Sequence, residues 1–466
     1  MGILAFAEAA HAAAEPYQTW TFAAILVVTL GLLATERVHK TVLALLSALV
    51  CLFLAEYWKL LPHPTDPGHH LPVYIAMIEW EVIGIVIGAT VFVEIAARSG
   101  VFTWVSVKVL KASRGDPFRL LILFSILTAV FSAFLDNITA MIIIGSLTVV
   151  GCRKLDFDPR PFLITEGIMT NVGGLLTLIS SIPNIIVGQA AEISYLRFLI
   201  VSVPYTIVAT AATMFVARAL FGKAVRPLRD VALREKNLAT VRSFDEWETV
   251  QSMWFFWSSG VVVVLVILGF ALKAQIPVLN QFGIEVVAMI AAAVMLLLHA
   301  KDVEHALDDV EWSLVFFFVG LFIIIGVMAQ AGVLLEIGRL LSAVTGAAGS
   351  FGAVALMWLT AAFSSVTDNI PLAAMLAKIF GPTPDVAAQV PREQWWAVVF
   401  GANLGGNVTP IGSASTVVAV TIMKKHKLKI GFLEFVKLGV VFAGVQLALA
   451  SGYLFVLKWF LAESAS

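Results

Sequence analysis

The chain repeats itself. Asp136-Asn137 and Asp368-Asn369 lie 232 positions apart, and the same offset relates pairs on both sides of them. Glu79-Trp80 matches Glu311-Trp312, Gly88 matches Gly320, Gly100-Val101 matches Gly332-Val333, and Phe131-Ser132 matches Phe363-Ser364. Asn171-x-Gly173-Gly174 matches Asn403-x-Gly405-Gly406, and Thr177-x-Ile179-x-Ser181 matches Thr409-x-Ile411-x-Ser413. A register held without a gap from Glu79 to Ser181 marks an internal duplication. The fold must therefore be one that two copies of a unit can build together.

Composition sets the solvent of that fold. Of 466 residues, 60% are hydrophobic and 13% charged, about half the ~25% charged share of soluble domains. The apolar runs are continuous and long enough to cross a ~30 Å hydrocarbon layer, which predicts an all-α polytopic membrane protein. Ten-residue alternations, the mark of a membrane β-barrel, are not seen. A net charge of −1 gives no reason to expect a nucleic-acid partner. Cys51 and Cys152 form no CxxC pair, so neither a disulfide framework nor a thiolate metal site is expected. The stretch Met1 to Tyr17 has no Lys or Arg before its apolar residues and reads poorly as a cleaved signal peptide.

Basic residues assign the loops to sides. Runs at 20–35 and 41–60 are joined by Arg37-Val38-His39-Lys40, whereas the connection 61–78 has four prolines, His63, His69 and His70 but no Lys or Arg. The positive-inside rule then puts the N-terminus outside and the first loop in the cytoplasm. A third run, 81–97, returns inward to Lys108, Lys111, Arg114 and Arg119. The stretch 118–151 has basic residues at both ends and Asp136-Asn137 in its middle, which predicts two short arms entering and leaving on one side. The run 161–190 is broken by Asn171-Val172-Gly173-Gly174 and by Pro183-Asn184, and 195–221 returns to the cytoplasm. Unwound backbone is tolerated in a membrane where it lines a cavity or is covered by protein.

Residues 222–250, with Lys223, Arg226, Arg229, Arg234, Lys236 and Arg242, read as a cytoplasmic linker between a first unit, 1–221, and a second, 251–466. The second unit repeats the plan: runs at 252–272, 283–300 and 312–330, a hairpin at 351–381, a broken run at 395–422 and a last run at 431–459. Lys424, Lys425, Lys427 and Lys429 place the end of the broken run inside. Five full crossings per unit, an odd number, turn the second unit upside down relative to the first. The expected fold is two inverted-topology repeats in a cell membrane, each with a re-entrant hairpin and a broken transmembrane helix.

An Asp at the centre of a membrane helix costs about 2.5–3.5 kcal/mol on insertion scales. Two at matched places, each followed by Asn, admit two readings. Asp136 and Asp368 cap the second arm of each hairpin, or they hold a proton or cation at midspan. Asn137 and Asn369 stand beside them. The breaks offer further hard-oxygen ligands in Asn171, Gly173, Gly174, Thr177, Ser180, Ser181, Asn403, Gly405, Gly406, Asn407, Thr409, Ser413 and Ser415. Close helix packing explains small residues at isolated positions equally well. Glu166 has Val398 as its partner by offset, an asymmetry that makes it a candidate proton carrier, with a salt bridge or an interfacial place as the alternatives. Glu94 and Glu336 are weaker candidates of that kind. No basic residue is expected beside the tip aspartates. Trp58, Trp80, Trp312, Trp395 and Trp396 fall near span ends, as an aromatic belt would place them. No nucleophile–base constellation suggests an enzyme, and no cofactor is expected beyond transported ions such as H+ or Na+.

The segments SAFLDNITAMIII at 132–144, TEGIMTNVGG at 165–174, SSVTDNIPLAAM at 364–375 and GANLGGNVTPIGSAS at 401–415 resemble the ion transporter superfamily. Within it they are similar to the group of ArsB-type arsenite pumps, NhaD-type sodium/proton antiporters and the melanosomal P protein. The paired Asp-Asn motifs resemble the NhaD and P-protein types, whereas Thr409-Pro-Ile-Gly-Ser413 resembles the ArsB pattern. Ser180-Ser181 stands where the P protein and its relatives usually carry an Asp after the first Gly-Gly. The resemblance implies inverted repeats with re-entrant hairpins and a homodimer as the assembly to look for. It also implies secondary transport of a small ion or molecule, with the lipid bilayer as the other partner. Proton-coupled antiport with Na+/H+ exchange is the first expectation. Proton-coupled arsenite or antimonite efflux is the alternative, and sodium-coupled citrate or dicarboxylate transport the second alternative.

Overall fold

The computed structural model describes residues 14–35, 37–61, 72–228, 230–273, 275–299, 303–308, 310–381 and 384–463. His63, His69 and His70 of the connection 61–78 and Arg229 of the linker lie outside the described residues. Regular structure among the described residues is helical throughout. The first half runs through α1 Pro16–Thr35, α2 Lys40–Tyr57, α3 Trp80–Arg98 and α4 Val101–Ala112. A hairpin follows, α5 Pro117–Ser132 and α6 Asn137–Lys154, then α7 Arg160–Gly173, α8 Ile182–Ala190 and α9 Tyr195–Phe221. The linker holds α10 Val231–Arg242. The second half is α11 Met253–Leu272, α12 Ile284–His299, α13 Trp312–Gln330, α14 Val333–Ala347, the hairpin arms α15 Gly352–Ser364 and α16 Asn369–Phe380, then α17 Arg392–Gly405, α18 Ala414–Lys425 and α19 Phe432–Glu463.

Local chemistry sets these boundaries, and it repeats. Gly100 and Gly332 sit at φ 84° and 82°, the left-handed region that an L side chain rarely adopts, and each turns the chain from one helix into the next. Asp116 caps α5 by accepting from the Arg119 N–H at 2.9 Å, with Pro117 in the first turn. Asp230 and Ser252 cap α10 and α11 in the same way.

The halves are interlocked. Helix α3 packs on α12 of the other half, and α13 packs on α2. The crossings are close enough that a Cβ on Gly88 would lie 2.6 Å from the Ala288 carbonyl carbon, and one on Gly320 would lie 2.8 Å from that of Ala44. Small residues at matched positions let the backbones touch. The linker is pinned as well: Glu246 forms ion pairs with Lys108 and Lys111 on α4. Asn237 donates to the Gly115 carbonyl at 3.2 Å.

Seven of the described helices are long and apolar enough to cross a membrane. The other expected crossings are α12, at 16 residues, and the two broken runs, each divided between two shorter helices. Large apolar side chains stand exposed around the bundle, Leu297 at 86% and Phe215 at 76% among them, as a lipid-facing surface requires.

Two expectations change. Pro183-Asn184 does not break a helix: Pro183 lies in the first turn of α8, where its missing N–H leaves no bond unmade, so a single break runs from Gly174 to Ser181. Trp395 and Trp396 are buried, against Phe380 and Phe198 respectively, and belong to the core. Trp80 and Trp312 are exposed, each donating from its indole to a carbonyl five residues earlier.

Candidate functional site

Each hairpin is fastened to its broken helix by the same two bonds. Ser132 Oγ donates to the Thr170 carbonyl at 2.7 Å, and Ser364 Oγ to the Ala402 carbonyl at 2.6 Å. Thr177 Oγ1 donates to the Ala133 carbonyl at 2.6 Å, and Thr409 Oγ1 to the Ser365 carbonyl at 2.6 Å. Donor and acceptor are shifted by the sequence offset in both cases. Gly173 and Gly405 permit the contact, since a Cβ would meet Ala129 Cα at 2.5 Å in one half and the Ala361 carbonyl oxygen at 2.4 Å in the other. Gly174 and Gly406 end the helices, and a Cβ on Gly406 would lie 2.9 Å from the Gly412 carbonyl oxygen.

Amides from the two breaks then cross between halves. Asn171 Nδ2 donates to Asn407 Oδ1 and to Ser413 Oγ, both at 2.8 Å. Asn403 Nδ2 donates to Asn184 Oδ1 at 2.8 Å. Asn407 Nδ2 continues to Gln446 Oε1 at 2.8 Å, and Gln446 Nε2 to Thr213 Oγ1 at 2.9 Å. All of these side chains are buried, so each bond left unmade would cost about 1–3 kcal/mol. Asn403 Oδ1 alone among them is buried without a partner among the described residues. Asn184 was read from sequence only as part of a helix break, and Gln446 and Thr213 were not singled out. Gln446, a lone amide inside the long apolar run of α19, was the signal available.

Both tip aspartates are helix caps. Asp136 accepts from the Ile138 and Thr139 N–H groups at 2.9 Å, and Asp368 from the Ile370 N–H at 3.2 Å. Neither is buried within the chain. Asp136 is exposed, and the Asp368 side chain is 34% exposed with Lys40 Nζ 3.8 Å away. A basic partner was not expected; Lys40 begins α2, far from Asp368 in sequence, and only the interlocking of α2 with α13 brings it there. Asp136 lines a cavity of about 80 Å³ with Ser180, Ser181 and Glu311. Asp368 is not among that cavity's lining residues. Asn137 Oδ1 also lies 2.7 Å from Ser132 Oγ, sharing its proton with the Thr170 carbonyl, and Asn137 Nδ2 reaches Asn171 Oδ1 at 3.5 Å, whereas Asn369 is buried.

Glu166 is buried on α7, where Oε1 accepts from Thr148 Oγ1 at 2.7 Å and Oε2 has no partner among the described residues. No ion pair reaches it among the described residues. Glu94 and Glu336 sit beside Arg98 and Arg339, at 3.8 and 2.7 Å, and are partly exposed. A second cavity, of about 440 Å³, opens among Glu79, Glu81, Gln189, Glu192, Gln330 and Lys378, with Lys378 Nζ 3.2 Å from Glu79.

A helical multi-span chain whose polar groups converge from two broken helices is of the secondary-transporter class. Residues 30–401 match the CitMHS family, described as citrate transporter, and the chain belongs to that family within the ion transporter superfamily. It is 30% identical over 437 residues to the 46 kDa membrane protein of Mycobacterium leprae, covering 93% of this chain and 97% of that one. An uncharacterized transporter of Mycobacterium tuberculosis is 30% identical over 435 residues, with the same coverage. The human P protein is 28% identical over 506 residues, covering 93% of this chain and 59% of its own length. Two solved structures share the fold: the Alcanivorax borkumensis YdaH transporter, at TM-score 0.59, 15% identity and 91% and 99% coverage of this chain and that one, and Neisseria gonorrhoeae MtrF, of a class of antimetabolite efflux pumps, at 0.58, 14%, 92% and 97%. The chain is a secondary transporter and not an enzyme.

Proposed function

We propose that this protein exchanges protons for a small inorganic cation, Na+ first, across a cell membrane. The observation that carries the reading is Asp136, an acid with no ion-pair partner among the described residues, held at a hairpin tip beside a small, mostly apolar cavity that also takes in Thr90, Ser180, Ser181 and Glu311. Oxygen donors of this kind suit a hard cation. In this reading the two matched halves are oppositely oriented repeats, 1–221 and 251–466, joined by the cytoplasmic linker 222–250, with the N-terminus outside. The hairpins enter from opposite faces, and the cross-half amides keep the breaks in register. Glu166, buried next to Thr148, relays the proton.

The family description, citrate transporter, favours a second reading, citrate transport, which we take with sodium as the coupling ion and a dicarboxylate as the other cargo. The cavity of about 440 Å³ is the larger of the two spaces and has the room for it, with Glu79, Glu81 and Glu192 sharing its wall with Lys378. Vesicles containing the purified protein and a lumenal pH dye distinguish them. Exchange predicts a pH change evoked by Na+ or Li+ and abolished by Asp136→Asn. Citrate uptake driven by a sodium gradient, with no pH response to Na+ alone, would select the second reading. Arsenite flux without a sodium response would refute both.

A further inference from the structure

We propose that the two hairpin tips are chemically unequal, and that Asp136, Glu311 and Ser181 form the site that takes a proton or an alkali cation in turn, while Lys40 keeps Asp368 out of the exchange. The inference rests on the exchange reading and states where on the chain it occurs.

Asp136 and Asp368 are equivalent by sequence and by capping, yet their surroundings differ in sign. Asp368 faces Lys40, which also lies 5.5 Å from the Phe317 ring centre, so a resident ammonium already answers its charge. Asp136 faces an acid instead: it shares its cavity with Glu311, whose charged neighbours are Asp136, Glu94 and Lys40. Two carboxylates beside one small space favour a positive occupant and penalise its absence.

The third wall is a hydroxyl left free. Ser181 is 6% exposed, makes no cap bond to its helix, and has no side-chain partner among the described residues. Its counterpart Ser413 is fully engaged, accepting from the Thr416 N–H and from Asn171 Nδ2 at 3.3 and 2.8 Å. The duplication thus spends one serine on structure and aims the other into the cavity with Asp136 and Glu311. At about 80 Å³ the space holds roughly two or three waters at ~30 Å³ each. A space on that scale suits an alkali ion with part of its hydration shell.

The test uses the full-length protein purified in detergent. Its thermal stabilisation is titrated with NaCl or LiCl against choline chloride at constant ionic strength. Glu311→Gln and Asp136→Asn are expected to weaken the alkali response about tenfold or more, as loss of some 1.4 kcal/mol would. Asp368→Asn is expected to leave the half-effective concentration within about threefold. Loss of the response in Asp368→Asn with retention in Glu311→Gln would overturn the proposal, as would a wild-type protein indifferent to alkali ions. Should Glu311→Gln not yield folded protein, Ser181→Ala decides: a weakened response supports the site, an unchanged one refutes it. Alkali binding through Asp136 and Glu311 without cation-evoked pH change in vesicles would leave the site standing and remove the exchange reading.

Discussion

Gly173→Ala probes one of the two tight helix contacts in the site. The added Cβ would lie 2.5 Å from both the Cα and the carbonyl oxygen of Ala129. Carbon contacts settle near 3.5–4.0 Å, so α5 and α7 would have to part by about 1 Å. The obstacle is backbone, which cannot rotate aside as a side chain can. A gap of that size forfeits about a quarter to a half of the dispersion energy along the seam. It also stretches the 2.7 Å bond from Ser132 to the Thr170 carbonyl. Overpacking costs roughly 1–3 kcal/mol and a lost hydrogen bond about 1 kcal/mol, so we expect a loss of roughly 2–4 kcal/mol. Gly405→Ala meets the Ala361 carbonyl oxygen at 2.4 Å and should cost a similar amount. Gly260 has no atom within 4 Å of a built Cβ, so alanine there should be neutral or gain about 0.5–1 kcal/mol of helix stability. Tryptophan fluorescence during heating in detergent reads the order. At about 2 °C per kcal/mol for a long chain, the two tight sites should melt ~4–8 °C early. Equal melting of Gly173→Ala and Gly260→Ala would refute the packing argument.

Asn171→Ala removes the donor shared by Asn407 and Ser413; a loss of about 2–3 kcal/mol is expected from the acceptors left buried, read as early melting, with Asn171→Asp as the near-isosteric comparison. Glu166→Gln retains the bond from Thr148 but cannot carry a proton, so it should melt like wild type while the pH dependence of transport flattens; an unchanged pH profile would discount the relay. The Lys108 and Lys111 ammonium groups hold the Glu246 carboxyl down at about 2, against an ordinary 4.5. The folded chain therefore keeps this carboxylate where the unfolded chain would protonate it. Its contribution to linker docking should be full above pH 4.5 and fade as pH falls towards 2. Protease cleavage of the linker should rise over that window in wild type and be insensitive to it in Glu246→Gln.

The duplication was legible because the bonds that fasten each hairpin are made by residues within one half. Ser132 and Thr177 recur as Ser364 and Thr409 with the same partners, so a fixed offset in sequence became a fixed geometry. Helix starts were legible where a cap is local, as at Asp136 and Asp368. The contacts between halves were not, since no spacing relates Lys40 to Asp368 or Glu311 to Asp136. They arise from α2 docking on α13 and α3 on α12, a tertiary choice. Trp395 and Trp396 misled for a related reason: their place next to a helix end suggested an interface, but α8, α9 and α16 cover that end.

The opposed entry of the two hairpins is the claim on which the transport reading depends, and sided labelling tests it most directly. In a background lacking Cys51 and Cys152, Arg119→Cys marks the base of the first hairpin and Ser350→Cys that of the second, both at exposed positions. A membrane-impermeant maleimide added outside intact cells should label Ser350→Cys and spare Arg119→Cys until the membrane is permeabilised. Labelling of both from one side would contradict the account.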